Sequence, residues 1–253
     1  GPGCMAPPPA AEPRRPALAV RAVFFDFYNT LAGFDPPREV IQSRAAALSG
    51  MPLEKDGGDA GYHLADAFMA NQNAGTRPVR TMTSLERDAF FARFEQLVLQ
   101  GAGHEVDLDA AGRVWRQVRA QEYKLALFDD VVPGLAALRQ MGLKLGVITN
   151  LDTTGDKVIA NFGLTGHVDF AVTSREAGVE KPHRPIFVAA LQRAGVPAEE
   201  AAHVGDQPDT DIKGALAVGM RPVLMDRFNG RRGYTAHPRV EKMADLPPVL
   251  ERM

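Results

Sequence analysis

Apolar residues along the chain form two kinds of pattern, short continuous runs and runs at helical spacing. The first run, residues 17–25, is interrupted only by Arg21 and is typical of a strand buried on both faces of a sheet. Similar runs occupy residues 143–148, 168–172, 201–204 and 222–224. Helix-like segments alternate with them at residues 132–141, 156–162, 185–194 and 209–218. This alternation predicts an α/β fold, a doubly wound, Rossmann-like parallel sheet with helices on both faces.

The segment between the first two predicted strands has a different pattern. Helical spacing recurs over residues 38–48, 62–69, 85–99 and 110–125, most clearly where phenylalanines 90, 91 and 94 face one side. No strand is predicted there. We therefore predict a smaller all-helical domain over residues 35–125, inserted into an α/β core formed by residues 17–34 and 126–253.

The amino-terminal residues 1–16 are rich in proline and alanine and predict an extended or disordered tail. Its first four residues, Gly-Pro-Gly-Cys, are interpreted as the remnant of an expression vector. Cys4 is the one cysteine in the sequence, so an intramolecular disulfide is excluded. The cysteine count is compatible with a reducing compartment.

Composition narrows the function classes. The 253 residues are 45% hydrophobic and 24% charged, with a formal net charge of -2, which is ordinary for a globular protein. Such a balance does not favour nucleic acid or a membrane surface as partner. None of the apolar runs approaches the ~18 residues of a membrane-spanning helix. A cytoplasmic enzyme acting on a small molecule is the expectation.

Chemically reactive side chains follow several of the predicted strands. They are Asp26 and Thr30 after the first strand, Thr149 and Asn150 after the second, Glu180 and Lys181 after the third, and Asp206 and Asp211 after the fourth. The carboxyl ends of parallel strands share one edge of a sheet, where doubly wound folds bind their ligands. These side chains are therefore expected to converge.

The converging residue types suit phosphoryl transfer. A carboxylate can attack an electrophile and form a covalent intermediate. Two further acids would repel it unless a cation lay between them, and Mg²⁺ prefers such oxygen ligands. A lysine and a threonine hydroxyl could bind the oxygens of the transferred phosphoryl group.

The order of these motifs resembles the haloacid dehalogenase-like (HAD) hydrolase superfamily. The matching pattern is Asp26-x-x-x-Thr30-Leu31, then Thr149-Asn150, then Lys181-Pro182, then Gly205-Asp206 with Asp211. The resemblance extends from about Val20 to Leu224. The helical segment lies between the first two motifs, where one branch of this superfamily inserts its cap domain.

The resemblance implies roles for these residues. Asp26 would be the nucleophile, and Lys181 would hold the nucleophile and the substrate oxygens. Thr149 would bind the phosphate, assisted by the Asn150 amide. The implied ligands of Mg²⁺ are Asp26, the backbone carbonyl of Tyr28, Asp206 and Asp211.

Tyr28 departs from the pattern of the phosphatases in this superfamily. They usually carry a second aspartate at this position, which acts as general acid and base. Such help is worth ~10²–10⁴ in rate. Two hypotheses follow: the enzyme prefers good leaving groups such as acyl or aryl phosphates, or it borrows an acid from the cap.

Two other functions remain open. The 2-haloacid dehalogenase branch has tyrosine at the position of Tyr28, but it needs no metal and would not require the Asp206 and Asp211 pair. Phe187 also stands where that branch has a tyrosine. The third possibility is a non-catalytic ligand-binding protein. The favoured interpretation is a Mg²⁺-dependent phosphatase of a small phosphorylated metabolite that works through an aspartyl-phosphate.

Other polar and aromatic residues are assigned structural roles. Of the six histidines, only His183 is expected near the site. Trp115 and the phenylalanine stripe are expected to form the core of the helical domain. The polar stretch around residues 71–73, with Arg77 and Arg80, is expected to be a solvated loop.

Overall fold

Eight strands are described in the structure, which is a computed structural model describing residues 20–54 and 57–253. They are β1 (Ala22–Phe25), β2 (Ala32–Asp35), β3 (Lys124–Leu127), β4 (Lys144–Thr149), β5 (Phe170–Thr173), β6 (Ala201–Gly205), β7 (Arg221–Met225) and β8 (Arg239–Val240). The predicted tail, residues 1–16, lies outside the described residues.

The main sheet has six strands in the order β5-β4-β1-β6-β7-β8, and every neighbouring pair is parallel. The first strand of the chain, β1, lies inside the sheet between β4 and β6. The strand order therefore reverses at β1, which is where ligands bind in doubly wound sheets. The predicted fold class is confirmed.

The described α-helices are α1 (Arg38–Leu48), α2 (Gly57–Ala74), α3 (Ser84–Gly101), α4 (Leu108–Ala120), α5 (Val131–Gln140), α6 (Gly155–Asn161), α7 (Ser174–Ala177), α8 (Arg184–Ala194), α9 (Lys213–Val218) and α10 (Leu246–Leu250). The segment predicted as one helix over residues 209–218 begins as a π-helical turn, Pro208–Ile212, before α9 starts. None of the helices in the described ranges is both long and apolar enough to cross a membrane.

Side chains of β1 alternate between two hydrophobic clusters because successive residues of a strand point to opposite faces. Phe25 belongs to the cluster that includes Leu135 of α5 and Leu246 of α10. Phe24 belongs to the cluster that includes Ile186 of α8 and Ala215 of α9. Helices therefore cover both faces, and the continuous apolar run of β1 is explained by its burial on both sides.

A second, antiparallel sheet of β2 and β3 contradicts two sequence predictions. No strand was expected in residues 35–125, and a helix was expected to continue to residue 125. Instead α4 ends at Ala120, and Leu125 pairs with Phe34. Each strand has four residues, and β3 is only partly buried. Its pairing partner lies far away in the sequence, so the local pattern carries no signal for it.

Helices α1 to α4 occupy the chain between these two short strands. Helix α3 begins with a capping box, in which Thr83 accepts from the Glu86 backbone and the Glu86 side chain accepts from Thr83. Phe68 of α2 stacks on Phe90 of α3 with ring centroids 4.7 Å apart. We refer to this helical block as the cap.

Close packing of α2 against α3 depends on Gly61. A Cβ atom at this position would lie 2.1 Å from the backbone oxygen of Val98. Such a distance is far inside van der Waals contact, so a larger side chain must move one helix away from the other.

We expect Gly61→Ala to lower the free energy of unfolding by ~1–3 kcal/mol because of this overlap. Gly112→Ala is the matched control, since its Cβ would meet its nearest neighbour, the Ala92 Cβ, at 3.7 Å. Alanine favours a helix over glycine by up to ~1 kcal/mol, so the control should be neutral or stabilised. Urea unfolding followed by the fluorescence of Trp115, the chain's single tryptophan, measures both. Equal effects of the two substitutions would contradict the packing account.

Candidate active site

Asp26 follows β1 directly and lies at the reversal point of the sheet. Its backbone N–H donates to the oxygen of Val204 at 2.8 Å, which continues the pairing with β6 by one residue. The carboxylate is buried, and its Oδ1 accepts from Lys181 Nζ at 2.5 Å. The Thr30 hydroxyl donates to Oδ2 at 3.4 Å.

Lys181 joins two carboxylates. Besides Asp26, its Nζ donates to Oδ1 of Asp211 at 2.7 Å, and the lysine is only 2% exposed. Burial by itself would lower the pKa of Lys181, but Asp211 and Asp26 together raise this pKa above its ordinary value. The ammonium group therefore stays charged and holds the two acids in place.

The backbone of Lys181 is held by Asn150. The Asn150 Oδ1 accepts from the Lys181 backbone N–H at 2.8 Å, and its Nδ2 donates to the Lys181 carbonyl at 3.4 Å. The sequence predicts a phosphate-binding role for Asn150, and the structure adds a second role for its side chain. Asn150 ties the end of β4 to the loop that carries Lys181.

The acids Asp26, Asp206 and Asp211 form a cluster. Each offers one oxygen, and these atoms all lie within 4.8 Å of one another. Asn29 Nδ2 at 3.4 Å and Gln207 Nε2 at 3.2 Å donate to Oδ2 of Asp206. The cluster thus brings together three of the four predicted metal-ligand residues.

The pKa values of these acids are displaced in different directions. Burial raises the pKa of Asp206 well above its ordinary value, and Asp26 and Asp211 raise it further. Burial also raises the pKa of Asp26, against the opposing effect of Lys181. For Asp211, burial is outweighed by Lys181 and His203, which lower the pKa.

Three acids and one lysine leave an excess of negative charge in a region of low polarity. The donor set consists of oxygens, which are the ligands that Mg²⁺ prefers. Besides burial, repulsion from Asp26 and Asp211 raises the pKa of Asp206, and a divalent cation would relieve this repulsion. The residues therefore fit the metal ion that the sequence predicts.

His203 corrects the prediction that His183 is the one histidine near the site. His203 lies on β6, is fully buried, and its Nε2 lies 3.0 Å from Oδ1 of Asp211. Asp211 also accepts from the Gln207 backbone N–H at 3.1 Å. A histidine inside a predicted buried strand, three residues before an acid of the motif, is the signal that could have revealed it.

Gly205 makes room for this arrangement. A Cβ at Gly205 would lie 2.2 Å from Cγ of Asp211. The residue before Asp206 must therefore be glycine for Asp211 to pack beneath the end of β6.

Thr149 and Tyr28 face the same cavity as the acids. Thr149 ends β4 and is 3% exposed. The Tyr28 ring packs on Phe34 with centroids 5.1 Å apart. Burial raises the pKa of the Tyr28 phenol, so the hydroxyl is neutral at physiological pH and a weak acid.

A cavity of about 450 Å³ lies between the core and the cap. Its core wall includes Asp26, Tyr28, Thr149, Asn150, Lys181, Asp206 and Asp211. The cap wall is mostly apolar and includes Ile41, Met69, Phe91, Phe94, Trp115 and Val118. Of the aromatic residues that were predicted only as cap core, Phe91, Phe94 and Trp115 thus also line the cavity, whereas Phe90 stays in the cap core.

A chain of polar side chains crosses the cap wall. Arg38 donates to Asp66 at 2.9 Å and lies over the Tyr62 ring, 4.1 Å from its centroid. The Tyr62 hydroxyl donates to Oε1 of Gln42 at 3.2 Å, and Gln42 donates to Glu95. Burial raises the pKa of Glu95 to about 7.

Arg80 corrects the prediction of a solvated loop. Its Nε donates to Oε1 of Glu180 at 3.1 Å, and Glu180 is buried beside Lys181. Asn73 of the same stretch lines the cavity. Residues 71–73 lie in α2 rather than in a loop. The stretch therefore contacts the core next to the candidate site, a relation that the local sequence pattern does not show.

Glu95→Gln tests the burial of this carboxyl. The folded pKa of about 7 lies above the ordinary value of 4.5, so the wild-type protein loses stability as the pH rises between these two values. Glu95→Gln has no titrating group at this position, and its side-chain oxygen can still accept the hydrogen bond that Gln42 donates. We expect its stability relative to wild type to increase by on the order of 2 kcal/mol between about pH 5 and about pH 8.

Urea unfolding at both pH values measures this difference. The exposed Glu105→Gln provides the control, because it removes the same charge from the cap surface. A difference between Glu95→Gln and wild type that does not change with pH would contradict the burial account.

Comparisons with known proteins agree with the motif order. A family model described as haloacid dehalogenase-like hydrolase matches residues 20–219. The chain is 34% identical over 212 residues to the ribulose-1,5-bisphosphate 5-phosphatase of Halopiger xanaduensis, covering 81% of this chain and 84% of that protein. It is 39% identical over 210 residues to haloacid dehalogenase-like hydrolase domain-containing protein 3 of Homo sapiens, covering 82% of each.

Solved structures share the fold. The crystal structure of the HAD-hydrolase YfnB of Bacillus subtilis bound to magnesium aligns with a TM-score of 0.58 at 21% identity, covering 91% of this chain and 98% of that one. The family model spans most of the chain, and both relatives exceed 30% identity over more than two thirds of it. The chain therefore belongs to the haloacid dehalogenase-like hydrolase family, as its motif order predicts.

Proposed function

We propose that the protein is a Mg²⁺-dependent phosphatase that hydrolyses a small phosphorylated metabolite through an aspartyl-phosphate at Asp26. The observation that carries the proposal is the cluster of three carboxylates around one buried lysine. The name of the Halopiger xanaduensis relative, a phosphatase, supports the reaction type. A 2-haloacid dehalogenase is less well supported, because such chemistry gives no role to the excess negative charge of Asp206.

In this proposal a carboxylate oxygen of Asp26 attacks phosphorus, and the bond from phosphorus to the leaving oxygen breaks. Water then attacks the aspartyl-phosphate, releases phosphate and regenerates Asp26. Lys181 fixes the orientation of Asp26 and, with the Thr149 hydroxyl, donates to the phosphoryl oxygens. When bound, Mg²⁺ would neutralise charge on the nucleophile and the phosphoryl group.

The proposed ligands of Mg²⁺ are Asp26, Asp206, Asp211 and the backbone carbonyl of Tyr28. Asp211 already accepts hydrogen bonds from Lys181 and from the Gln207 backbone N–H. It would hold Mg²⁺ either directly or through a water molecule. Residues 35–125 are proposed as the cap domain that closes the cavity. The location of the protein in the cytoplasm stays a prediction.

Departure of the leaving oxygen is the step of the proposed reaction that most needs a proton donor. Tyr28 is a weak acid because burial raises its pKa, so it gives little help to a leaving group that needs a proton. Glu95 lines the cavity and, with a pKa of about 7, is protonated in about half of the molecules at neutral pH. Good leaving groups and an acid from the cap therefore both remain compatible with the site.

Asp26→Asn should lower phosphate release by at least about 10³-fold, because the amide cannot form the covalent intermediate. The assay is a panel of phosphorylated metabolites with Mg²⁺ and with a chelator, and the chelator should also abolish release. Asp209→Asn is the control, since this exposed aspartate lies in the turn that contains Asp211 and pairs with Lys213.

Several results would contradict the proposal. Full phosphate release by Asp26→Asn would show that Asp26 is not the nucleophile. Halide release from 2-haloacids in the presence of a chelator would favour the dehalogenase. Binding of Mg²⁺ and phosphate without turnover of any substrate would favour the non-catalytic alternative.

Tyr28→Asp should raise kcat/KM for alkyl phosphates more than for aryl phosphates, by at most ~10²–10⁴. The reason is that a carboxyl at this position can protonate the leaving oxygen, which matters most for poor leaving groups. The measurement is the dependence of kcat/KM on leaving-group acidity in both proteins. A flat dependence in the wild-type protein would mean that another group already supplies the proton.

A further inference from the structure

The cap wall of the cavity offers flat aromatic surface. Phe91 of α3 and Trp115 of α4 are stacked with ring centroids 4.5 Å apart and an interplanar angle of 6°. Phe94 lies one helical turn from Phe91, with centroids 6.0 Å apart. Near the core, Phe34 and Tyr123 meet edge to face at 4.9 Å and also line the cavity. A ligand in this space therefore meets several aromatic rings.

Polar groups of the cap wall are largely engaged with one another. Arg38 is bound to Asp66 and covered by Tyr62, and Gln42 bridges Tyr62 and Glu95. A sugar phosphate needs hydrogen-bond partners for several hydroxyl groups, and these side chains of the cap wall already bond to one another. An apolar leaving group leaves them intact.

The residues of the core wall favour one chemical kind of leaving group, independently of the shape of the cap wall. The position of the usual general acid holds Tyr28, whose ring packs against Phe34, and both residues line the cavity. A leaving group that departs without a proton must form a stable anion. Phenolic leaving groups meet this condition far better than alkyl alcohols, and they are planar.

We propose that the substrate class is the aryl phosphates, with the aromatic ring bound against Trp115, Phe91 and Phe94 while the phosphate lies at Asp26 and Lys181. This inference rests on the proposed phosphatase function and narrows its substrate. The ring would bury flat apolar surface against the cap wall, where aromatic pairs stabilise beyond the area they bury.

Binding without turnover gives the first test. Calorimetry of the wild-type protein with Mg²⁺ compares 1-naphthylmethylphosphonate, octylphosphonate and methylphosphonate, which carry the same phosphonate group. We expect the naphthyl compound to bind at least about tenfold more tightly than the methyl compound and more tightly than the octyl compound. Equal affinity of all three, or preference for octyl, would overturn the inference.

Steady-state kinetics gives the second test, with 1-naphthyl phosphate and acetyl phosphate as substrates. Trp115→Ala should raise KM for 1-naphthyl phosphate about tenfold and lower the naphthyl-to-acetyl ratio of kcat/KM. Trp115→Phe should recover most of the ratio because it keeps a ring. Leu85→Ala is the control, since Leu85 is an apolar side chain of α3 that is 81% exposed and lies outside the cavity.

The outcomes separate the two proposals. Absence of phosphate release from every substrate would refute the phosphatase, and the calorimetric comparison would still decide whether the cavity binds a ring. Hydrolysis of acetyl phosphate and glycerol phosphate without binding or hydrolysis of the naphthyl compounds would refute the aryl substrate class alone. An unchanged ratio in Trp115→Ala would have the same meaning.

Discussion

The site depends on one buried ammonium group. Lys181 Nζ lies 2.5 Å from a carboxylate oxygen of Asp26 and 2.7 Å from one of Asp211. Burying two carboxylates side by side is unfavourable without such a cation, and removing one partner of a buried pair typically costs ~3–5 kcal/mol. The lysine thus orients Asp26 and opposes the rise that burial causes in its pKa, while the third acid, Asp206, leaves charge for a divalent cation to balance.

The sheet explains why these groups meet. The first strand runs between two strands from later in the chain, so Asp26 lies beside the ends of β4 and β6. Asn150 at the end of β4 fixes the backbone of Lys181, and Gly205 at the end of β6 leaves space for Asp211. The cap then closes a cavity over this edge, with polar chemistry on one wall and aromatic surface on the other.

Much of the core was predictable from the sequence because its signals are local. A run such as Val23–Phe25 followed by Asp26 identifies both a buried strand and the residue at its end. The antiparallel pair β2 and β3 was missed, because its strands are short and lie far apart in the chain. Arg80 and the aromatic cavity wall were missed because each depends on partners that only the folded chain brings close. His203 was missed although its place in a predicted buried strand, eight residues before Asp211, is a local signal.

The most direct measurement identifies the residue that becomes phosphorylated. The protein is allowed to react with acetyl phosphate and Mg²⁺, quenched, and reduced with borohydride, which converts an aspartyl-phosphate to homoserine that mass spectrometry can locate. The account predicts conversion of Asp26 and of no other aspartate. Conversion of Asp206 or Asp211, or phosphate release with no converted aspartate, would contradict it.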